Sequence, residues 1–140
     1  MKIFYFLFAA FLLASCAATS QFIKFASGSA EPTKARIYLY RPSNFASAIK
    51  FQVFSNDQLI GKVGPKGYLC WEVPAGDLTI TSKGENKEMI RLNAEAGQNY
   101  YIKQFPKMGI MTARVGMELV SEAEGQSAVA KLKPPKLLAQ

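Results

Sequence analysis

Two cysteines are the most reactive side chains in this sequence, and they lie in different settings. Cys16 follows Leu13-Ala14-Ser15 at the end of an apolar run, whereas Cys70 lies within a strand-like stretch. A cysteine thiol can be modified, oxidised or used as a nucleophile. The sequence contains no histidine, which excludes a Cys–His dyad, a Ser–His–Asp triad and histidine ligation of a metal.

The segment before Cys16 has the pattern of an export signal. Met1-Lys2 supplies a positive charge, and residues 3–13 form an unbroken run of eleven apolar residues. That run is shorter than the roughly 20 residues needed to cross a bilayer. It fits the apolar region of a signal peptide, which has about 7–15 residues. We therefore predict a signal peptide over residues 1–15.

The four residues Leu13-Ala14-Ser15-Cys16 resemble the bacterial lipobox, Leu-[Ala/Ser]-[Gly/Ala/Ser]-Cys. The resemblance implies transfer of diacylglycerol to the Cys16 thiol, cleavage before Cys16, and acylation of the new N-terminus. Two or three acyl chains hold a protein stably on a membrane, whereas one chain binds marginally. Ala17 rather than Asp follows the cysteine, which by the same resemblance implies the outer membrane, with the protein facing the periplasm.

Charge and composition limit the classes of partner. Net charge is +7 over 140 residues, and a basic surface favours anionic lipid headgroups or acidic envelope polymers. A net charge of this size also promotes solubility. We expect no nucleic-acid partner, because an exported lipoprotein meets little nucleic acid. The sequence contains no glycine-rich phosphate loop, acidic metal cluster or nucleophile elbow, and we predict no cofactor and no metal.

The chain after Cys16 divides into a tether, a folded domain and a tail. Residues 16–34 are rich in Ala, Ser, Thr, Gly and Pro and are predicted to form a lipidated tether. Apolar and polar residues then alternate in short runs separated by turn residues, which indicates strands. The predicted strands cover residues 35–41, 50–54, 59–63, 68–73, 78–82, 88–94, 99–105 and 111–119.

Prolines and one capping motif mark the ends of these elements. Pro42 and Pro106 are each expected to end a strand. Ser121 and Glu124 form a capping box, which predicts a short helix to about residue 132. Residues 133–140 contain two prolines and are predicted to form a loose basic tail. Residues 35–132 are thus predicted to form a mainly β domain, an antiparallel β-sandwich of about seven to eight strands with a short C-terminal helix.

The predicted domain resembles an uncharacterised family of bacterial lipoprotein domains, the domain-of-unknown-function family two-eight-four-six. The residues that carry this resemblance are 38–42, 61–63, 68, 73–76 and 97–102. The turn at Val73-Pro74-Ala75-Gly76 is also similar to turns of carboxypeptidase-regulatory-like and PEGA-type sandwiches. Those modules are non-catalytic, so the resemblance implies a sandwich fold in the cell envelope and implies no activity.

We therefore predict a lipid-anchored, non-catalytic envelope protein that binds or scaffolds a partner: another protein, peptidoglycan or a glycan. The membrane is reached through the lipid on Cys16. The alternative is an envelope enzyme that uses carboxylates or Cys70, since Glu72 shares a strand face with that thiol. Such pairs on an exposed strand are more often solvated cross-strand charges. A purely structural lipoprotein, with residues 131–136 as a contact, is a third possibility.

Arg36, Tyr38 and Tyr40 are the candidate binding residues. Ile37 and Leu39 are the more apolar set of their strand and should face the core, which leaves the other three on the opposite face. Tyr and Arg are enriched among residues that carry binding energy, so we predict an exposed patch. In the alternative that we leave open, a helix or loop, for example residues 121–132, covers this face and the tyrosines belong to the core.

Overall fold

The structure is a computed structural model that describes residues 20–22 and 31–135. The predicted signal peptide, the lipidation at Cys16, most of the predicted tether and residues 136–140 lie outside the described residues. Within the described part, no helix is long and apolar enough to cross a membrane.

Residues 31–135 form eight strands and one helix, and residues 20–22 add a short strand. In chain order the elements are β1 (Ser20–Phe22), β2 (Lys34–Arg41), β3 (Phe51–Ser55), β4 (Gln58–Val63), β5 (Gly67–Pro74), β6 (Gly76–Lys83), β7 (Lys87–Ala94), β8 (Asn99–Met108), β9 (Ala113–Val120) and α1 (Glu122–Val129). The predicted mainly β sandwich with a short C-terminal helix is confirmed.

The strands form two sheets that pack face to face. One sheet has the order β1-β4-β3-β6-β7 and the other has the order β5-β2-β8-β9. Neighbouring strands in both sheets are antiparallel except β2 and β8, which run parallel with Ile37 opposite Tyr100. The main core lies between the sheets and takes one alternating set of side chains from each, including Ile37, Leu39, Val53, Leu69, Trp71, Ile80 and Ile102.

Pro106 does not end its strand, which corrects our prediction. β8 continues to Met108 and pairs with β9 along this whole stretch, with Pro106 opposite Val115. Its pairing with β2 ends earlier, at Lys103. Beyond that residue β8 is bonded on one side only, and a proline without an N–H group is tolerated at such a local edge.

Helix α1 begins where the capping motif predicts. The Ser121 side chain accepts a hydrogen bond from the backbone N–H of Glu124 at 3.2 Å. The helix ends at Val129, three residues before the predicted end. Gly125 is buried and faces β8, and a Cβ atom at this position would overlap the Tyr101 side chain. The absence of a side chain at Gly125 therefore lets the helix lie directly on the sheet.

The start of the predicted loose tail is held against the domain, which corrects that expectation for residues 133–135. The backbone N–H of Lys133 donates to the Lys66 carbonyl at 3.3 Å, and Lys133 pairs with Gly67 beside β5. Pro135 is buried. A proline cannot continue a helix, but its ring can pack as an apolar group, and here it does.

Candidate functional site

The predicted patch residues lie on the outer face of β2, but that face is covered. Arg36 is only 4% exposed and Tyr40 only 1%, while Tyr38 is half-buried. The expectation of an exposed patch is therefore wrong for Arg36 and Tyr40. The physical reason is that α1 and the chain after it form a layer over the four-stranded sheet, so this sheet is buried on both faces. Binding of a partner by these residues stays a prediction, although only Tyr38 keeps a substantial exposed surface.

Aromatic rings fill the space beneath this layer. The Tyr38 ring stacks on Tyr101 at 4.7 Å between centroids and 5° between planes, and it lies 6.4 Å from the tilted Tyr68 ring. Burial, with a smaller contribution from Tyr38, raises the pKa of Tyr101 to about 12. These three tyrosines are neutral at physiological pH, and they act as large apolar side chains with polar tips.

Arg36 and Glu72 form an ion pair across β2 and β5. They are directly opposite in the strand register, and the Arg36 guanidinium donates to the Glu72 carboxylate at 2.8 Å. This hydrogen bond holds the pKa of Glu72 below its ordinary value. Burial alone would lower the pKa of Arg36, but hydrogen bonds to Glu72 and Tyr38 outweigh it and raise the pKa overall. The carboxylate that the enzyme hypothesis pairs with Cys70 is therefore engaged by an arginine.

Cys70 has the environment of a structural thiol. It is 1% exposed and lies opposite Tyr38 in the register of β2 and β5. Burial raises the pKa of the Cys70 thiol to about 11. The thiolate is the reactive form of cysteine, and a thiol with this pKa is protonated at neutral pH.

We expect native Cys70 to react with iodoacetamide far more slowly than the same thiol in urea-unfolded protein. Both the raised pKa and the loss of solvent access slow the reaction. Thiol labelling followed by peptide mass spectrometry measures both rates at one pH. A native rate comparable to the unfolded rate would contradict the structural assignment and support the enzyme alternative.

Arg41 is the feature that our reading of the sequence missed. Its side chain is fully buried and its guanidinium donates hydrogen bonds to four backbone carbonyl oxygens. The acceptors are Ile49 at 2.6 Å, Phe45 at 2.9 Å, Ala46 at 2.9 Å and Val63 at 3.3 Å. The guanidinium also lies 5.0 Å from the centre of the Phe51 ring.

These contacts make Arg41 the anchor of the loop between β2 and β3. Burial lowers the pKa of Arg41, but an arginine stays charged because its ordinary pKa is above about 12. Backbone carbonyls rather than a carboxylate therefore solvate the buried charge. The sequence did contain a sign that Arg41 is buried. Side chains alternate along a strand, so Arg41 lies on the same inward face as Ile37 and Leu39.

A cleft of about 320 Å³ opens at one end of the sandwich. It lies where β3, β5 and the turns after them meet the start of β6. The residues that line it are Ser55, Asn56, Gln58, Ile60, Trp71, Glu72, Val73, Pro74, Ala75, Gly76, Asp77 and Leu78. We call it the Trp71 cleft.

The Trp71 cleft has an aromatic floor and a polar rim. Trp71 is 4% exposed, and its indole N–H donates to the Ser55 hydroxyl at 3.2 Å. Asn56 is in the left-handed region at φ 46°, and its side-chain oxygen accepts the backbone N–H of Thr79 at 2.9 Å. This bond fixes the turn that carries the rim. Among the described lining residues two are acidic, Glu72 and Asp77, and none is basic.

The two carboxylates of the Trp71 cleft could also bind a metal cation, since carboxylates are common metal ligands. Within the described residues, no three His, Cys, Asp or Glu side chains lie close enough to hold a metal ion. Glu72 is bonded to Arg36, and Asp77 accepts a hydrogen bond from Asn93 at 3.0 Å. Both acids of the cleft thus have protein partners.

The fold and this cleft define a class of protein, a small β-sandwich module with one covered sheet and a cleft at its end. The chain belongs to the family described as protein of unknown function (DUF2846), whose model matches residues 31–117. The resemblance inferred from the sequence is thereby confirmed. The match contains Arg41, Cys70 and the whole lining of the Trp71 cleft.

A relative from Haemophilus influenzae carries the description uncharacterized protein. It is 31% identical to this chain over 105 residues, which are 74% of this chain. The aligned part spans 62% of the relative's own length. The similarity therefore concerns the domain rather than the whole of that relative.

Proposed function

We propose that this protein is a lipid-anchored, non-catalytic module of the cell envelope, attached through Cys16, which binds an envelope glycan in the Trp71 cleft. The attachment is supported by Leu13-Ala14-Ser15-Cys16, which places a lipobox cysteine directly after an apolar segment. We place the protein at the outer membrane, facing the periplasm, because Ala17 follows the cysteine.

Binding is favoured over catalysis by the state of the reactive groups. The Cys70 thiol is buried and its pKa is raised to about 11, so it is a poor nucleophile. Glu72 is held by Arg36 at 2.8 Å and its pKa is lowered, which keeps it charged and unsuited to donating a proton. Cys70 and its neighbour Glu72, the pair named for the enzyme alternative, are thus occupied in structural contacts.

The charge of the residues that line the Trp71 cleft is the reason why we propose a neutral ligand. The chain as a whole is basic, at +7, yet the cleft is lined by two acids and no base among the described residues. An anionic ligand is disfavoured there, whereas hydroxyl and amide groups find carboxylate, amide and hydroxyl partners. A volume of about 320 Å³ is at the lower end of the roughly 300–1,000 Å³ of ligand sites. The glycan strand of peptidoglycan offers this neutral, hydroxyl-rich chemistry.

Trp71 makes the glycan proposal directly testable, because it is the only tryptophan of the chain. We expect its fluorescence to change when soluble N-acetylglucosamine oligomers or peptidoglycan glycan fragments are added. Gln58→Ala should weaken the titration by about threefold to tenfold, the effect of losing one hydrogen bond. Gln126→Ala, which removes an exposed amide on α1, is the matched control. A saturating glycan concentration that leaves the emission unchanged would overturn the glycan assignment.

The anchor is tested separately. We expect metabolic labelling with a radioactive fatty acid to mark the wild-type protein and to be lost in Cys16→Ser. The thiol is the acceptor of the diacylglycerol in this reaction, and a serine hydroxyl does not replace it. Incorporation in Cys16→Ser at the wild-type level would contradict the attachment and would leave the glycan test unaffected.

A further inference from the structure

The end of the sandwich opposite the Trp71 cleft exposes a group of large apolar side chains. Three of them lie at the end of β8 and in the turn that follows it, where Met108 is 82%, Ile110 92% and Met111 86% exposed. Phe45, from the loop that Arg41 anchors, is 52% exposed and lines the same shallow depression as Met108 and Met111. We call these four residues the apolar tip. Scattered exposed apolar residues are ordinary, but a contiguous group marks an interaction site.

The backbone of the apolar tip is hydrogen-bonded rather than left open to water. The Glu85 carboxylate accepts the backbone N–H groups of Ile110 at 2.9 Å, Met111 at 3.3 Å and Thr112 at 3.3 Å. A Cβ atom at Gly109 would overlap this carboxylate, so the glycine makes the arrangement possible. Backbone donors without partners are costly in an apolar medium. Glu85 therefore supplies partners for these donors, and its charged carboxylate confines the turn to the polar headgroup layer of a bilayer.

Basic residues occur at the strand ends beside the apolar tip. β6 ends and β7 begins beside the turn that holds Glu85, and β8 ends and β9 begins at the tip itself. Four exposed basic residues lie at these strand ends, Lys83, Lys87, Lys107 and Arg114. A basic residue near an anionic bilayer is attracted to the negative surface potential of its headgroups. We call these four residues the basic collar.

Strand register places the N-terminal segment at the same end. Ser20 of β1 lies opposite Val63, and Val63 lies opposite Phe51. Phe51 packs with Ala113, which adjoins the turn of the apolar tip. The chain enters β1 at Ser20, and four residues of extended chain reach at most about 14 Å. The thiol to which the lipid would be attached is thus separated from the start of β1 by at most about 14 Å of chain.

We propose that the apolar tip and its basic collar form a membrane-docking surface, which inserts into an anionic phospholipid bilayer beside the lipid on Cys16. This proposal rests on the proposed function for the anchor. Met108, Ile110 and Met111 are each more than four-fifths exposed, and a fluid lipid interface accommodates such protruding side chains without a matching concave surface. The Trp71 cleft at the opposite end then points away from the bilayer, towards the periplasm.

The test uses the acylated full-length protein in vesicles of phosphatidylethanolamine and phosphatidylglycerol. An environment-sensitive fluorophore is attached through Thr112→Cys at the tip, and in a second sample through Glu95→Cys at the opposite end. We expect a blue shift and quenching by bromine-labelled lipids at position 112 and neither at position 95. Ile110→Ser with Met111→Ser should abolish the shift at position 112, and Leu119→Ser, an exposed apolar residue on β9, should leave it unchanged.

Each other outcome overturns the proposal. An aqueous emission at position 112 on vesicles would exclude insertion. A blue shift that grows with protein concentration in the absence of vesicles would assign the tip to a second copy of the chain. An equal blue shift on vesicles of phosphatidylcholine alone would show that docking does not require an anionic lipid. Acylation is read independently from the mass of the N-terminal peptide, so a failed anchor is distinguished from a tip that does not insert.

Discussion

Replacing Arg41 with Met is expected to lower the free energy of unfolding by about 3–5 kcal/mol. The substitution keeps much of the aliphatic volume but removes the guanidinium, which leaves four carbonyl oxygens without their donor. A hydrogen bond to a charged group contributes about 1.5–3 kcal/mol, and a buried acceptor without a partner adds its desolvation cost. The contributions do not sum in full, because the loop between β2 and β3 can relax.

Urea-induced unfolding followed by Trp71 fluorescence measures this loss. Arg41→Lys should recover only part of it, because one ammonium group cannot reproduce the fork of the guanidinium. Arg114→Met is the matched control, since Arg114 is exposed and its loss should change stability by no more than about 0.5 kcal/mol. If Arg41→Met and Arg114→Met had equal effects, Arg41 would not be the anchor of its loop.

Tyr40→Ser is expected to destabilise the domain by about 3–5 kcal/mol, the range measured for removal of a buried aromatic ring. Tyr40 is 1% exposed on the covered face of β2. Tyr38→Ser should cost less, because Tyr38 is half-buried and keeps part of its surface in water when the protein folds. The pair of variants thus distinguishes a buried layer from the exposed patch that the sequence suggested.

Thermal unfolding by circular dichroism is the measurement. A loss of 1 kcal/mol lowers Tm by roughly 4–8 °C in a domain of this size, so Tyr40→Ser should melt at least about 12 °C below the wild type. Phe45→Ser is the control, because Phe45 is about half exposed at the apolar tip and should change Tm little. A wild-type Tm in Tyr40→Ser would restore the exposed patch.

Both predictions concern the stability of the domain, and they address the two faces of one strand. Arg41 and Tyr40 are neighbours in β2 but point to opposite faces, one into the anchored loop and the other under α1. Neither side chain lines the Trp71 cleft. We therefore expect substitutions in β2 to act on folding and on the position of Phe45, whereas substitutions at the cleft rim and the apolar tip should act on binding while leaving stability nearly unchanged.

Local order in this protein follows from the sequence by itself. Alternating side chains and turn residues located all eight strands of residues 31–135 to within a few residues, because both signals are local to the backbone. The capping box located the start of α1 for the same reason. The family resemblance was also visible in the sequence, and the family match over residues 31–117 confirms it.

Only the tertiary structure decided which strands are neighbours and which faces are covered. Pro106 is tolerated because β2 ends its pairing before it, and no local pattern reports the length of a neighbouring strand. Arg36 and Tyr40 are buried because α1 and the chain after it return to cover β2, from more than eighty residues away. The Trp71 cleft and the apolar tip likewise join residues from distant strands. Such contacts depend on pairing across the whole chain, whereas the alternation of side chains specifies two faces and not what packs on each.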